Sequence, residues 1–390
     1  MRASGASNTE PQRTPGRAIG TGRPQLVFVT QTVNPQDPLL GVAVDLIRAL
    51  GGLCELSVIA NEVRSVPDDI PASVLSLGKE MGASRSLRGL RYLRAIEVAT
   101  RRGPPGQIPA IFVHMCPVYL NLAAPVAKAR GARLLLWYAH AVGDASLSLA
   151  ERLADSVLTS VPGAYPGRGA AVEAIGQAID VARFSYTPVA RAGPLRLLAL
   201  GRTSATKRYH VAIRALRQAL GAGVDAELRI VGPSATPAER AVRAELARLI
   251  GELDLQDSVS LEPGIPRSDV PEALRGCHAV VSTTVDGSAD KAVFESMAAG
   301  RPVLLSNPAL ASLTDGWPLH LRFDSESASG LAARILELDR ADLSLINHVG
   351  RGLRERITAE HGLDRWAHRV ASIVAQAPGQ GIGRALPAAD

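Results

Sequence analysis

Two cations stand five residues apart, Arg202 and Lys207, just after the apolar run Leu198-Ala199-Leu200-Gly201. That pattern places them in the loop between a strand ending at Gly201 and a helix beginning near Val211. A glycine at the strand end lets a ligand approach the backbone. Arg, a planar fork, and Lys, a point charge, then reach one dianionic group from two sides. Taken alone, an Arg and a Lys in such a loop are more often simply solvated.

A second group runs from Val285 to Val303. A strand ends near Thr284, and a Gly/Ser-containing loop opens a helix with Ser288 or Asp290 as its N-cap and Lys291 following. Gly300 closes that helix, and the next strand starts at Pro302. A helix starting at a strand's carboxyl end presents free N–H groups and the positive end of its dipole, which suits phosphate. Glu295, about one turn in, could accept two vicinal hydroxyls as on a ribose; the plainer alternative is a surface glutamate. Asp286 and Asp290 have no evident third partner for a metal, so no metal is expected.

Three further positions are weaker. His140 ends the run Leu136-Trp137-Tyr138-Ala139-His140, as a functional imidazole or as a core histidine beside Trp137 and Tyr138. His114, ending another run, more often only bonds backbone. Gly41 closes the loop Gln31–Gly41 after the first strand, where a helix could start.

The elements that must position these residues read as alternating strands and helices, the signature of βαβ units and parallel sheets. In the first half the strand-like runs are Leu26–Thr30, Leu56–Ala60, Val74–Leu77, Ile111–His114, Leu134–Tyr138 and Ser156–Thr159. Helices fit between them, as over Val42–Leu50 and Leu147–Ala154. In the second half they are Leu195–Leu200, Ala226–Val231, Val259–Leu261, Ala279–Ser282, Pro302–Ser306 and Leu319–Phe323. Ile213, Leu216 and Leu220 have the spacing of a buried helical stripe. Pro188 and Gly193 interrupt both patterns near 183–193.

The expected fold class is therefore α/β, with two Rossmann-like doubly wound domains, over residues 25–185 and 186–375. The segments 1–24 and 376–390 are expected to be disordered. Ligands of such sheets bind beyond the carboxyl ends of the strands, so a cleft between the two domains is the expected site.

Composition narrows the class. A chain of 390 residues suits two domains, and scarce aromatics suit small aliphatic side chains packing helices on parallel sheets. Cys54, Cys116 and Cys277 are too few and too scattered for a disulfide or zinc scaffold and point to a reducing compartment. The net charge of +6 is mild, with arginines such as Arg240, Arg243 and Arg248 at helical spacing. Solvated helix faces account for it better than a nucleic-acid surface. No stretch approaches the roughly 18 apolar residues of a membrane helix, and the first residues lack a signal peptide's apolar core. The expected location is cytoplasmic, with peripheral contact at the inner membrane face through basic segments left open.

Taken in order, the two motif groups resemble the donor domain of family 4 glycosyltransferases, which have the GT-B fold. That family carries Gly-Arg, four residues, Lys, and later Glu-Ala-Met-Ala-x-Gly-x-Pro-Val, matched by Glu295–Val303 with Ser296 in place of Ala. Leu228–Pro233 resembles its Ile-Val-Gly strand end, and Val259–Gly264 the strand and loop beside the nucleotide base. The segments Ile111–Met115, Leu136–His140, Leu153–Ser160 and Gly176–Asp180 with Phe184 resemble a bacterial subgroup, and Ile357–Trp366 the family's closing helices. The resemblance spans roughly residues 25–370.

It implies a retaining transferase that moves a sugar from a nucleotide-diphosphate sugar, a UDP-sugar ahead of a GDP- or ADP-sugar, to a hydroxyl acceptor (a glycan, glycolipid or small molecule), with no metal or cofactor. It further implies that Arg202 and Lys207 neutralise the departing diphosphate, that Glu295 binds the ribose, and that His140 contacts the donor sugar. Gly201, Ser288, Lys291, Gly41 and Gly264 would line the donor. A donor phosphate oxygen would take the acceptor's proton, so a glycosidase-like carboxylate pair is not expected. One departure stands out. The family's other glutamate, eight residues before Glu295, is Gly287 here, and Asp290 is the expected substitute toward the sugar. Two alternatives remain open: a GT-B nucleotide-sugar epimerase, and a non-catalytic relative that binds a glycan or a partner.

Overall fold

The structure, a computed structural model, describes residues 22–37, 40–101, 109–167, 172–284, 287 and 289–376. The expected disorder of residues 1–24 and 376–390 falls almost entirely outside the described residues, as do Ser288 and Asp286. Two parallel sheets form. The first contains β1 (Gln25–Val33), β2 (Glu55–Val63), β3 (Ala72–Ser76), β4 (Ala110–His114), β5 (Arg133–Trp137), β6 (Ser156–Thr159) and β7 (Val172–Ala174), in the order β3-β2-β1-β4-β5-β6-β7. The second contains β8 (Leu195–Leu200), β9 (Ala226–Val231), β10 (Val259–Glu262), β11 (Ala279–Ser282) and β12 (Val303–Leu305), in the order β10-β9-β8-β11-β12.

The order reverses at the first strand of each sheet, with β1 between β2 and β4 and β8 between β9 and β11, as in doubly wound folds. The central strands β4 and β5 are buried along their whole length, as strands covered on both faces must be. The chain packs into two compact units. Of the described residues, one draws on those up to Trp137, on Ala145–Val157 and on those from Ala367; the other on Tyr138–Asp144 and on those between Leu158 and Trp366.

Helices follow the expected positions. The Val42–Leu53 helix has Gly41 as its N-cap, without a side-chain cap. The Tyr209–Gly221 helix buries Ile213 and Leu216 with Val211, Ala212, Ala215 and Ala219, while Leu220 sits at the edge of that stripe. The Pro237–Glu252 helix starts at a capping box: Thr236 Oγ1 accepts from the Glu239 amide at 3.2 Å, and the Glu239 carboxylate accepts from the Thr236 amide at 3.1 Å. The Leu343–His361 and Leu363–Ala375 helices close the chain, and Gly362 between them bridges to Ile179.

Two expectations are corrected and one strand is added. Leu319–Phe323 is not a strand but a single bridge, Leu305 to Arg322, with the Leu305 amide donating to Leu321 O at 2.8 Å. Its alternation comes from Leu319, Leu321 and Phe323 being buried one by one beside a three-residue edge strand too short to extend the ladder. The short β7 was not foreseen, because Val-Glu-Ala carries no run of β-branched residues. Finally, Gln31–Val33 belong to β1 and not to the loop after it. Of that loop, Pro38 and Leu39 lie outside the described residues.

Candidate functional site

The carboxyl ends of β8 and β11 hold the residues of interest. Gly201 ends β8 at φ 133°. A Cβ built on it would lie 2.7 Å from Lys207 Cε and 2.9 Å from Lys207 Nζ, so the lysine side chain lies directly over this glycine. Gly232, at the end of β9, is equally constrained: a Cβ there would sit 1.8 Å from Gly201 O. Gly264, after β10, packs on Pro233, where a Cβ would come within 2.9 Å of its ring. The ends of β8 and β9 thus meet backbone to backbone at glycines.

Lys207 is bound on its far side. Its ammonium pairs with Asp290 Oδ1 at 2.8 Å, and Thr283 Oγ1 donates to the Lys207 carbonyl at 2.5 Å. The other Asp290 oxygen accepts from Ser282 Oγ at 3.0 Å and Thr284 Oγ1 at 2.8 Å. Burial pushes the Asp290 carboxyl upward, but the Lys207 charge and the donated hydrogen bonds outweigh it, and the group stays below the ordinary carboxylate range. Tyr209 closes the cluster, its hydroxyl donating to Gly201 O at 3.0 Å. Burial, and secondarily Asp290, push that phenol well above its usual value.

Asp290 occupies the N-cap position of the Lys291–Ala298 helix, yet its side chain makes no capping bond, because the carboxylate is turned onto Lys207. Lys291, the first residue of the helix, pairs through Nζ with Glu295 Oε1, one turn further in, at 2.8 Å. The helix ends as expected: Gly300 at φ 72° donates to Met297 O, and Arg301 to Ser296 O, a Schellman arrangement.

Arg202 points elsewhere. Its Nη1 lies 3.1 Å from Glu239 Oε1, and its side chain is 48% exposed. Backbone hydrogen bonds, chiefly from Thr236, lower the Glu239 carboxyl and keep it charged against the arginine. With one guanidinium nitrogen on Glu239, the other donors of this part-exposed side chain can still meet a ligand.

His140 is exposed, and its Nδ1 accepts from the Val142 amide at 3.1 Å, so the core alternative for it is corrected: Trp137 enters the core without it. Its neighbour Ala141 faces Gly287. A Cβ on Gly287, at φ 77°, would come within 2.8 Å of Ala141 Cβ. His114 is the reverse case. It is buried, 3.2 Å from Thr30 Oγ1, and burial lowers its pKa to about 4.

The structure therefore gathers Gly201, Lys207, Asp290 and the helix start with Lys291, sets Glu295 one turn away and leaves Arg202 paired with Glu239. Gly41 belongs to the other compact unit. Ser282, Thr284, Tyr209 and Glu239 were not foreseen; the one signal for the first two was a pair of hydroxyls two apart at a strand's carboxyl end. Among the described residues, no group of three His, Cys, Asp or Glu could hold a metal ion. None of their helices is long and apolar enough to cross a membrane.

The segment that carries this cluster can be compared with known proteins. Residues 187–312 match the glycosyl transferases group 1 family. WcaL of Salmonella typhimurium LT2, provisionally named as a colanic acid biosynthesis glycosyltransferase, is 27% identical over 204 residues, 50% of this chain and 49% of that protein. WcaL of Escherichia coli K12 is 29% identical over 195 residues, 48% of this chain and 46% of its own. The chain thus spans about half the length of these relatives.

Among solved structures, Anabaena HepE in complex with UDP and glucose is similar over 90% of this chain and 100% of its own, with a TM-score of 0.70 at 16% identity. Sucrose-phosphate synthase from Thermosynechococcus elongatus is similar over 90% of this chain and 98% of its own, with a TM-score of 0.67 at 17% identity. At such identity the likeness is one of fold. The two parallel-sheet α/β units have the GT-B fold.

Proposed function

We propose that this chain is a glycosyltransferase that takes a sugar from a nucleotide-diphosphate sugar, with UDP as the preferred nucleotide, and passes it to a hydroxyl of a glycan-type acceptor. The observation that carries the reading is the Lys207 ammonium held over Gly201 beside the start of the Lys291–Ala298 helix. It lies inside the segment that matches the glycosyl transferases group 1 family. A cation and a helix N-terminus at one strand mouth favour a diphosphate and stabilise it as the glycosidic bond breaks. Glu295, one turn inside the helix, is placed for ribose hydroxyls once Lys291 releases it. The UDP bound to HepE and the biosynthetic name of the WcaL relatives support the choice of donor and acceptor class.

The finer reading is retention of anomeric configuration without a metal. Cationic side chains then supply the charge stabilisation that a divalent ion supplies elsewhere. The test is a panel of UDP-, GDP- and ADP-sugars incubated with hydroxyl acceptors, with the product anomer read by NMR and the assay repeated with a chelator. Transfer with retained configuration, undiminished by the chelator, is expected. An isomerised donor sugar formed without acceptor contradicts transfer, an inverted anomer contradicts retention, and loss on chelation contradicts metal independence.

A further inference from the structure

We infer that Asp290 is a positioning residue that acts through Lys207, and not a residue that grips the donor sugar. This inference rests on the proposed nucleotide-sugar reading. Both carboxylate oxygens are already committed: Oδ1 to the lysine, Oδ2 to the Ser282 and Thr284 hydroxyls. Its side chain is only 6% exposed, which leaves no free face for sugar hydroxyls.

Lys207 has the opposite need. Its stem crosses Gly201 with no side chain beneath it, and its side chain is 16% exposed. A lysine stem has several rotatable bonds, so an ammonium without a fixed partner would spread over many positions. Asp290 removes that freedom at one end, and the glycine makes the room at the other. One of the three ammonium donors goes to Asp290, and the other two remain for an anion. The two hydroxyls behind Asp290 hold it in turn, so Ser282, Thr284, Asp290 and Lys207 form a chain from the end of β11 to the end of β8.

The two roles differ in what a ligand without the donor sugar feels. UDP has the ribose and the diphosphate but no transferable donor sugar, so a residue that grips only the donor sugar leaves UDP affinity unchanged. A residue that positions Lys207 alters UDP affinity, and only while Lys207 is present. The experiment is a double-mutant cycle on UDP binding by calorimetric titration, with wild type, Asp290→Asn, Lys207→Met and the double variant. GDP and ADP are titrated in parallel, and the cycle uses the tightest of the three.

The expected result is that Asp290→Asn weakens binding at least tenfold in the wild-type background and less than threefold in the Lys207→Met background. Equal losses in both backgrounds overturn the inference, as does unchanged or tighter binding by Asp290→Asn. Should that variant fail to fold, Ser282→Ala with Thr284→Val loosens the same carboxylate while keeping its charge, and the same pattern is expected. If the wild type binds none of the three nucleotides, the nucleotide-sugar reading falls and takes the inference with it. Binding with additive losses overturns the role of Asp290 alone.

Discussion

Gly287 stands where the resembled family has a glutamate, and its geometry gives a physical reason. The residue sits at φ 77°, where side chains with a Cβ are disfavoured, and its missing Cβ faces Ala141 at 2.8 Å. Restoring the glutamate should therefore not restore a sugar contact but cost stability. Gly287→Ala is expected to cost about 1–2 kcal/mol from the backbone conformation, with more from displacing Ala141. A urea titration reads this as a lower midpoint with unchanged slope; an unchanged midpoint would show that the turn tolerates a side chain.

At this scale the sequence was only partly legible. Lys207 and Gly201 could be read from spacing within one loop. The engagement of Arg202 with Glu239, 37 residues on, could not, nor could the turn of Asp290 away from its helix cap. Both are settled by tertiary neighbours and not by local pattern.

At the scale of elements, the strands were legible because buried parallel strands appear as continuous apolar runs bounded by turn residues, as in Leu134–Trp137 and Leu195–Leu200. Alternation alone misled at Leu319–Phe323, where side chains are buried in turn without a ladder. The helix starts show how an element serves the site. The capping box at Thr236 orders the turn from which Glu239 holds Arg202, tying helix stability to the arginine's position. Thr236→Ala is expected to lower stability by about 1 kcal/mol. Scanning calorimetry should record a fall of several degrees or less, and an unchanged transition would show that the cap contributes nothing.

The whole molecule carries three histidines whose pKa values burial lowers to about 4: His114, His278 and His361. Their unfolded value is about 6.5. Between those values the unfolded chain binds protons that the folded chain does not, so stability falls as pH falls from about 6.5 toward about 4. Above that window these groups are neutral in both states and contribute no slope. Melting temperatures measured across it should decline steadily before the carboxylates titrate. A melting temperature constant down to about pH 4.5 would show that the imidazoles ionise in place.

The doubly wound architecture of both sheets was legible from the alternation of strands and helices, because parallel neighbours are usually joined through a helix; β2 and β3, parallel but joined by a helix-free segment, depart from that pattern. The division of residues between the compact units was less so. Tyr138–Asp144 packs with the later unit although it follows a strand of the earlier one, a matter of packing that no local pattern encodes.

The proposed anion site comprises Lys207 over Gly201 and the start of the Lys291–Ala298 helix, with Arg202 joining from beside Glu239. Calorimetric titration of UDP into the wild-type protein and into Lys207→Ala tests it most directly. One-site binding is predicted for the wild type, weakened at least about thirtyfold in the variant, which corresponds to about 2 kcal/mol for a lost charge-assisted contact. Equal affinity in the two proteins would contradict the assignment of this site.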